Sequence, residues 1–308
     1  MSAVYKYEHY NKHLTDLSLS VSMPEYLSAS ENMPSKVLDH KSDLFSVWDK
    51  GNARDVTEGI GFVGWEGSPK RLSIGKDDRQ IQVQPYMLEF EVAEHKINNE
   101  DDRRGYETQL MMKLLSNFYH DKELKIIDNL SSNLVEAETI TTKWDAENST
   151  PFEDSLEMKK NMYRQPNVLY ISPDVARTLM LHEELTDMAR VVGIGGEGNF
   201  IRATQEATLA EYFQVDRVII PRAKLGRGAN TELWSNLFIF AYEEPLGLAT
   251  ESAVGNFYWS MPGTKWAIRS WFDPKRGYGG STVVRLESAY AHYILETENI
   301  VKALPLTV

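Results

Sequence analysis

Three groups of residues have types and spacings that could do chemistry. The first lies in "VVGIGGEGNF", residues 191–200, where Gly193, Gly195 and Gly198 spell G-x-G-x-x-G, the fingerprint of dinucleotide binding. That motif works where a strand ends in a tight turn and the next helix aims its N-terminus at a pyrophosphate. Here the glycines follow "ELTDMAR", which reads as helix. The acidic residue required at the end of the second strand would be Asp216, which stands at the start of "VDRVII" instead. The glycines therefore read as a loop between helices. The second group is His9 and His13, four apart, a metal-like spacing if the segment were helical. No third ligand lies nearby, and the segment is not convincingly helical. The third is acidic: "EDD" at 100–102 reads as a helix start, and "KDD" at 76–78 as a solvated turn. His40, His95, His120, His182 and His292 stand alone, and no G-x-S-x-G elbow occurs. No catalytic residue, cofactor or metal is expected from these groups.

The background composition narrows the field further. The chain has 308 residues, 42% hydrophobic and 25% charged, a normal balance for a globular protein. It has no cysteine, which excludes disulfides, thiolate nucleophiles and cysteine-ligated metals. A formal charge of −12 makes its surface a poor attractor for phosphate backbones. No apolar run approaches the roughly 20 residues of a membrane span, and the first residues lack the order of a secretory signal. Intracellular synthesis is the expectation.

The elements that would position any site read as follows. Residues 1–50 contain Pro24 and Pro34, with scattered apolar residues and no sustained period. They form an extended arm that must lie on something. Gly61, Gly64, Gly67, Gly75 and Pro69 then punctuate a turn-rich stretch, followed by alternation at Ile81 and Val83 and again at Leu88, Phe90 and Val92. A long hairpin-like excursion with a glycine-rich tip near 64–76 is predicted. Trp65 sits in that tip with no core around it, so its burial requires a neighbouring surface, such as another subunit.

Asn98 or Asn99 offers an N-cap for a helix reaching about residue 130, with Met111, Leu115, Phe118, Ile126 and Leu130 forming its apolar stripe. Beyond "AENSTP" short helices and strands alternate. They include "NVLYIS", then a helix with Ser172 as N-cap and Pro173 at its first position, then "ATQEATLAEYF", "VDRVIIPRA" and "NLFIFAYEE". "KWAIRSWFD" and "STVVRLESAYAHYILE" read as antiparallel strands around the turn "PKRGYGG".

The order of these pieces resembles the tailed-bacteriophage major capsid proteins of the Hong-Kong-97-type fold, an architecture shared with encapsulin shells. Three stretches carry the resemblance. The first is "FSVWDKGNARDV" with "YMLEFEVAEHKINNEDDRRGYETQLMMKLLSNFYHDKELKIIDNL", the second "NVLYISPDVARTLMLHEELTDMAR" with "TLAEYFQVDRVIIPRA", and the third "LFIFAYEEPLGLATESAVGNFYW" with "AIRSWFD" and "VVRLESAYAHYIL". Together they span roughly residues 45–296.

The resemblance implies an α+β fold with an N-terminal arm at 1–50 and an extended loop at 51–93. It implies a peripheral domain from 94–132 and 266–308, with a spine helix at 98–130, and an axial domain at 133–265. It also implies pentamers and hexamers in an icosahedral shell around double-stranded DNA, with the extended loop lying across a neighbour. Trp48, Trp65, Pro69, Lys70 and Arg71 become candidate inter-subunit contacts. A separate scaffolding protein, a portal and a decoration protein are implied partners, DNA touches the wall only weakly, and the virion is the destination after assembly in the host cytoplasm. One branch of the family crosslinks a loop lysine to a neighbour's asparagine. Lys70 and Lys76 lie near the loop tip, but no crosslink is expected here. Two alternatives stand: an encapsulin-type compartment, which holds protein cargo and can bind flavin, and a nucleotide-dependent oxidoreductase using the Gly193–Gly198 loop.

Overall fold

The computed structural model describes residues 9–20, 28–48, 76–93, 103–134, 140, 142–146, 148–186, 202–223, 232–247, 249–260, 262–276 and 279–303. The amino-terminal part holds β1 (His9–Tyr10), α1 (Lys12–Ser20), α2 (Ser28–Asn32), β2 (Ser35–Val37) and β3 (Ser42–Trp48). Then come β4 (Lys76–Gln82), β5 (Gln84–Ala93) and the 31-residue helix α3 (Arg103–Asn133). Next are α4 (Pro151–Lys160), β6 (Val168–Ile171), α5 (Pro173–Leu181), α6 (Arg202–Tyr212), β7 (Arg217–Ile219) and β8 (Phe238–Ala241). The last strands are β9 (Ala249–Thr250), β10 (Val254–Trp259), β11 (Ala267–Asp273), β12 (Ser281–Ile294) and β13 (Ile300–Ala303).

Among the described residues three sheets form. The largest runs β1-β11-β12-β10-β2, with β5 also paired to β12. Its centre is the 14-residue β12, antiparallel to β11, β10 and β5. A second sheet runs β13-β8-β6-β7, and a third runs β4-β3-β9. Strand pairing crosses the sequence segments expected as domains. β10 lies within 133–265 yet joins the large sheet, while β13 lies within 266–308 yet pairs with β8.

The second sheet shows why its strands read as continuous apolar runs. Successive side chains point to opposite faces. Val168, Tyr170, Ile239 and Ile300 enter a central core shared with α3 and β10. Leu169, Ile171, Phe238, Phe240 and Val301 enter a separate core under α5 and α6. Both faces are covered, so no polar alternation is possible. The parallel pair β6–β7 is joined through α5 and α6, as a parallel crossover requires.

α3 lays the expected stripe of Met111, Leu115, Phe118, Ile126 and Leu130 into the interior. Its proposed caps, Asn98 and Asn99, lie outside the described residues. α5 begins as predicted, with Ser172 at the N-cap and Pro173 at the first position. Ser172 Oγ accepts from the Leu237 amide at 3.1 Å, tying the helix start to β8.

The amino-terminal part departs from its reading as an irregular arm. Asn11 Oδ1 accepts from the Leu14 amide at 3.0 Å and caps α1. Leu14 then packs against Met111, Leu114, Ile268 and Val284 of the same chain. β2 pairs in parallel with β10, and β3 pairs with β4. The segment looks aperiodic because each short element buries a few residues on a different part of the body. "KDD" is also corrected: residues 76–78 open the strand β4 rather than a turn. Asp78 is stable there because its carboxylate accepts from Ser46 Oγ at 2.7 Å across the ladder.

Candidate assembly surfaces

The most elaborate polar site is buried, where the amino-terminal part meets α3. The apolar stripe of α3 steps from Phe118 to Ile126, and the helical position between them is Lys122. Lys122 and Glu123 are both buried. Glu123 accepts from the Ser30 amide at 3.0 Å and from Trp234 Nε1 at 3.1 Å. Lys122 Nζ donates to the Ser30 carbonyl at 3.1 Å and to the Tyr258 hydroxyl. Burial, with Lys265 nearby, pushes the Lys122 ammonium down to about 7, opposed by Glu123 and Glu31. Burial likewise holds the Glu123 carboxyl above its ordinary range. Sequence reading missed this pair, although charges interrupting an apolar stripe were the available signal.

A second buried acid lies one layer away. Glu243 accepts from the Tyr170 hydroxyl and from Arg217 Nη2, both at 2.5 Å. Burial raises its carboxyl to about 7, against the opposing pull of Tyr170 and Arg217.

The outer face of the large sheet is ionic. Arg285 on β12 pairs with Glu89 on β5 at 2.5 Å and with Glu287 at 3.3 Å. Glu287 pairs with Arg269 on β11 at 2.8 Å. Arg276 reaches Asp273 at 3.3 Å and Glu91 at 3.5 Å. Seven side chains on β5, β11, β12 and the turn after β11 thus form one network in register. Beside it is a groove of about 230 Å³ lined in part by Lys41, Pro85, Met87, Trp259 and Ala289. Lys41 Nζ lies 4.8 Å from the Trp259 ring centre, a cation–π contact, and Met87 is 63% exposed. Leu44 on β3 is 67% exposed.

The predicted contact residues are only partly placed. Trp48 ends β3, with its backbone opposite Lys76 on β4. Trp65, Pro69, Lys70 and Arg71 lie outside the described residues, as do Gly193, Gly195 and Gly198. The stretch leading toward those glycines is helical at 183–186. Asp216 sits just before β7, with its amide donating to the Asn167 carbonyl at 3.0 Å. His9 is on β1 and His13 on α1, so they do not share a helical face. Glu100, Asp101 and Asp102 lie outside the described residues.

One Ser–His contact could suggest nucleophilic chemistry. Ser149 Oγ lies 2.9 Å from His182 Nε2. Its polarity is wrong. His182 Nδ1 accepts from the Glu184 amide, which leaves the proton on Nε2, while Ser149 donates its own proton to the Ala146 carbonyl at 2.7 Å. The histidine therefore donates to the serine and cannot act on it as a base. Among the described residues no group of three His, Asp or Glu side chains converges on a metal position. No described helix is long and apolar enough to cross a membrane.

No family model matches the chain, and no curated protein sequence matches it. Solved structures do. A phage-related protein from Bordetella bronchiseptica RB50 aligns with a TM-score of 0.71 at 13% identity, over 96% of this chain and 97% of its own. The holo-SrpI encapsulin complex from Synechococcus elongatus gives 0.56 at 10% identity, over 96% and 95%. The capsid of cyanophage P-SCSP1u gives 0.51 at 12% identity, over 92% and 89%. Nearly the whole length of each is covered, so the likeness extends over the whole fold. The chain has the α+β fold of phage capsid and encapsulin shell subunits, the Hong-Kong-97-type capsid fold.

Proposed function

We propose that this chain is a non-enzymatic shell subunit, a major capsid protein that self-assembles into the icosahedral head of a tailed phage around double-stranded DNA. The observation that carries the reading is the likeness, over nearly the whole chain, to the chains of a phage capsid and an encapsulin complex. Supporting it, the outer sheet face presents an extended ionic network and a groove beside exposed Met87, features suited to repeated contact between copies. The acidic balance keeps packaged DNA from adhering to the wall.

In this reading residues 1–50 are the arm, 51–93 the extended loop, 94–132 and 266–308 the peripheral domain, and 133–265 the axial domain, with β10 and β13 exchanged between the two sheets. Trp48, Trp65, Pro69, Lys70 and Arg71 contact the neighbouring subunit. A scaffolding protein, a portal and a decoration protein are its partners, and it is assembled in the host cytoplasm and ends in the virion.

The second reading, an encapsulin-type compartment, is favoured by the Synechococcus likeness. Electron microscopy of the purified protein tests the class: closed polyhedral particles are expected, and a preparation that stays monomeric under all assembly conditions overturns it. Nuclease-protected DNA inside such particles selects the phage head, and enclosed protein without DNA selects the compartment.

A further inference from the structure

β6 and β7 are parallel, with Leu169 beside Val218 and Tyr170 beside Ile219, so both strands end on the same side of the second sheet. The chain leaves β6 into α5, whose first residue is Pro173, and leaves β7 through Ile220 and Arg222. In sheets with parallel strands, the crevice outside their carboxyl ends is a recurrent ligand site. A cavity of about 510 Å³ lies there, between α5, α6 and the exit of β7. Its floor is apolar. Leu209 of α6 and Ile220 are buried, and Met180 of α5 packs half-buried against the core that holds them. Leu181, the last residue of α5, also lines it and is 85% exposed, more than any other large apolar side chain among the described residues.

Two cations border this apolar surface, and they differ. Arg177 of α5 pairs with Glu232, which lines the same cavity. Among the described residues Arg222 has no such partner, and its Nε is buried without a hydrogen-bond acceptor. A buried donor left unpaired is costly, and more so on a charged group. An acceptor arriving from outside the chain removes that cost.

We infer that this cavity is a binding site for one amphiphilic monoanion, a medium-chain fatty carboxylate, whose headgroup pairs with Arg222 and whose chain lies on Met180, Leu209 and Ile220. Small-molecule sites are commonly about 300–1,000 Å³, mainly apolar and with few polar groups, as this one is. A carboxylate matches the planar fork of a guanidinium, and an ammonium is repelled by it. Glu232 cancels Arg177 and so leaves a single positive group to be met. A bare phosphate leaves the apolar floor uncovered. The site is built from one chain and does not depend on the shell reading.

Equilibrium dialysis of the full chain against sodium octanoate tests this, at about pH 8 where the carboxylate is charged. One octanoate per chain is expected, with a dissociation constant of about 1 mM or below. Octanol, which lacks the charge, should bind at least about tenfold more weakly. Inorganic phosphate, which lacks the chain, should not compete. Arg222→Gln should weaken octanoate about tenfold or more and leave octanol unchanged. Glu232→Gln frees Arg177 and should tighten octanoate about threefold. Opposite signs from two substitutions in one cavity cannot come from misfolding. If Arg222→Gln fails to fold, Glu232→Gln and the octanol comparison still decide. No saturable binding by the native chain, octanol binding as tightly as octanoate, or displacement by phosphate would each overturn the assignment. So would octanoate binding that both substitutions leave unchanged. Binding by the unassembled chain that is lost in particles would also overturn it, because a second copy would then fill the cavity.

Discussion

Glu243 is a carboxyl whose folded environment favours its proton. It is buried, it accepts from Tyr170 and Arg217, and its pKa is pushed up to about 7 by burial. An unfolded glutamate titrates near 4.5. Between those values the folded chain holds more protons than the unfolded chain. Stability from this group is therefore fully present below the unfolded value and is lost as pH rises through about 7. Glu243→Gln should remove that slope. Unfolding free energies from urea titrations at pH 5 and pH 8 should differ by on the order of 2 kcal/mol less in the variant than in the native protein. An unchanged difference would show that Arg217 keeps the group charged throughout. At this scale sequence reading found the apolar partners but not the polar ones. Phe118 and Ile126 declared themselves by spacing, while Glu243 in "FAYEEP" looks like a solvated turn acid. Its burial comes from β6 and β7, which are distant in sequence, and no local pattern encodes that.

The turn joining β11 to β12 shows an element whose chemistry is written locally. Gly279 and Gly280 both have positive φ, +81° and +91°, which side-chain-bearing residues rarely adopt. A Cβ on Gly280 would also lie 2.2 Å from the Phe272 ring, whereas one on Gly279 would meet nothing within 4 Å. Gly280→Ala should therefore cost about 2–3 kcal/mol and Gly279→Ala about 1 kcal/mol, read from denaturation midpoints. Adding Phe272→Ala should recover part of the first loss and none of the second. "PKRGYGG" was legible as a turn for this reason. β4 was legible only at its end, where Ile81 and Val83 alternate with glutamines; its start is four charged residues, Lys76 to Arg79, and its pairing partner β3 lies 28 to 40 positions earlier. α1 was missed: its apolar residues Leu14 and Leu17 recur for barely two turns, too few to reveal a period, and its cap Asn11 stands out only once the helix is known.

At the scale of the molecule, the amino-terminal arm, expected to lie on something, finds part of that surface in its own chain. Leu14, Met33, Leu38 and Phe45 are all buried within one chain. Folding of these residues does not wait for assembly. What copies of the chain must overcome instead is charge, since each carries a formal −12. Repulsion between like-charged surfaces extends about 30 Å at 0.01 M salt and about 3 Å at 1 M. If the interfaces are mainly apolar and closely fitted, added salt removes the repulsion and leaves the attraction intact. Light scattering should then show faster and more complete assembly at about 0.5 M sodium chloride than at about 0.02 M. The opposite trend would mean that ion pairs between copies, the outer-face arginines and glutamates among them, supply the attraction. Arg285→Gln separates the two cases. In the apolar case it weakens the sheet locally and leaves the salt response unchanged, and in the ionic case it flattens that response.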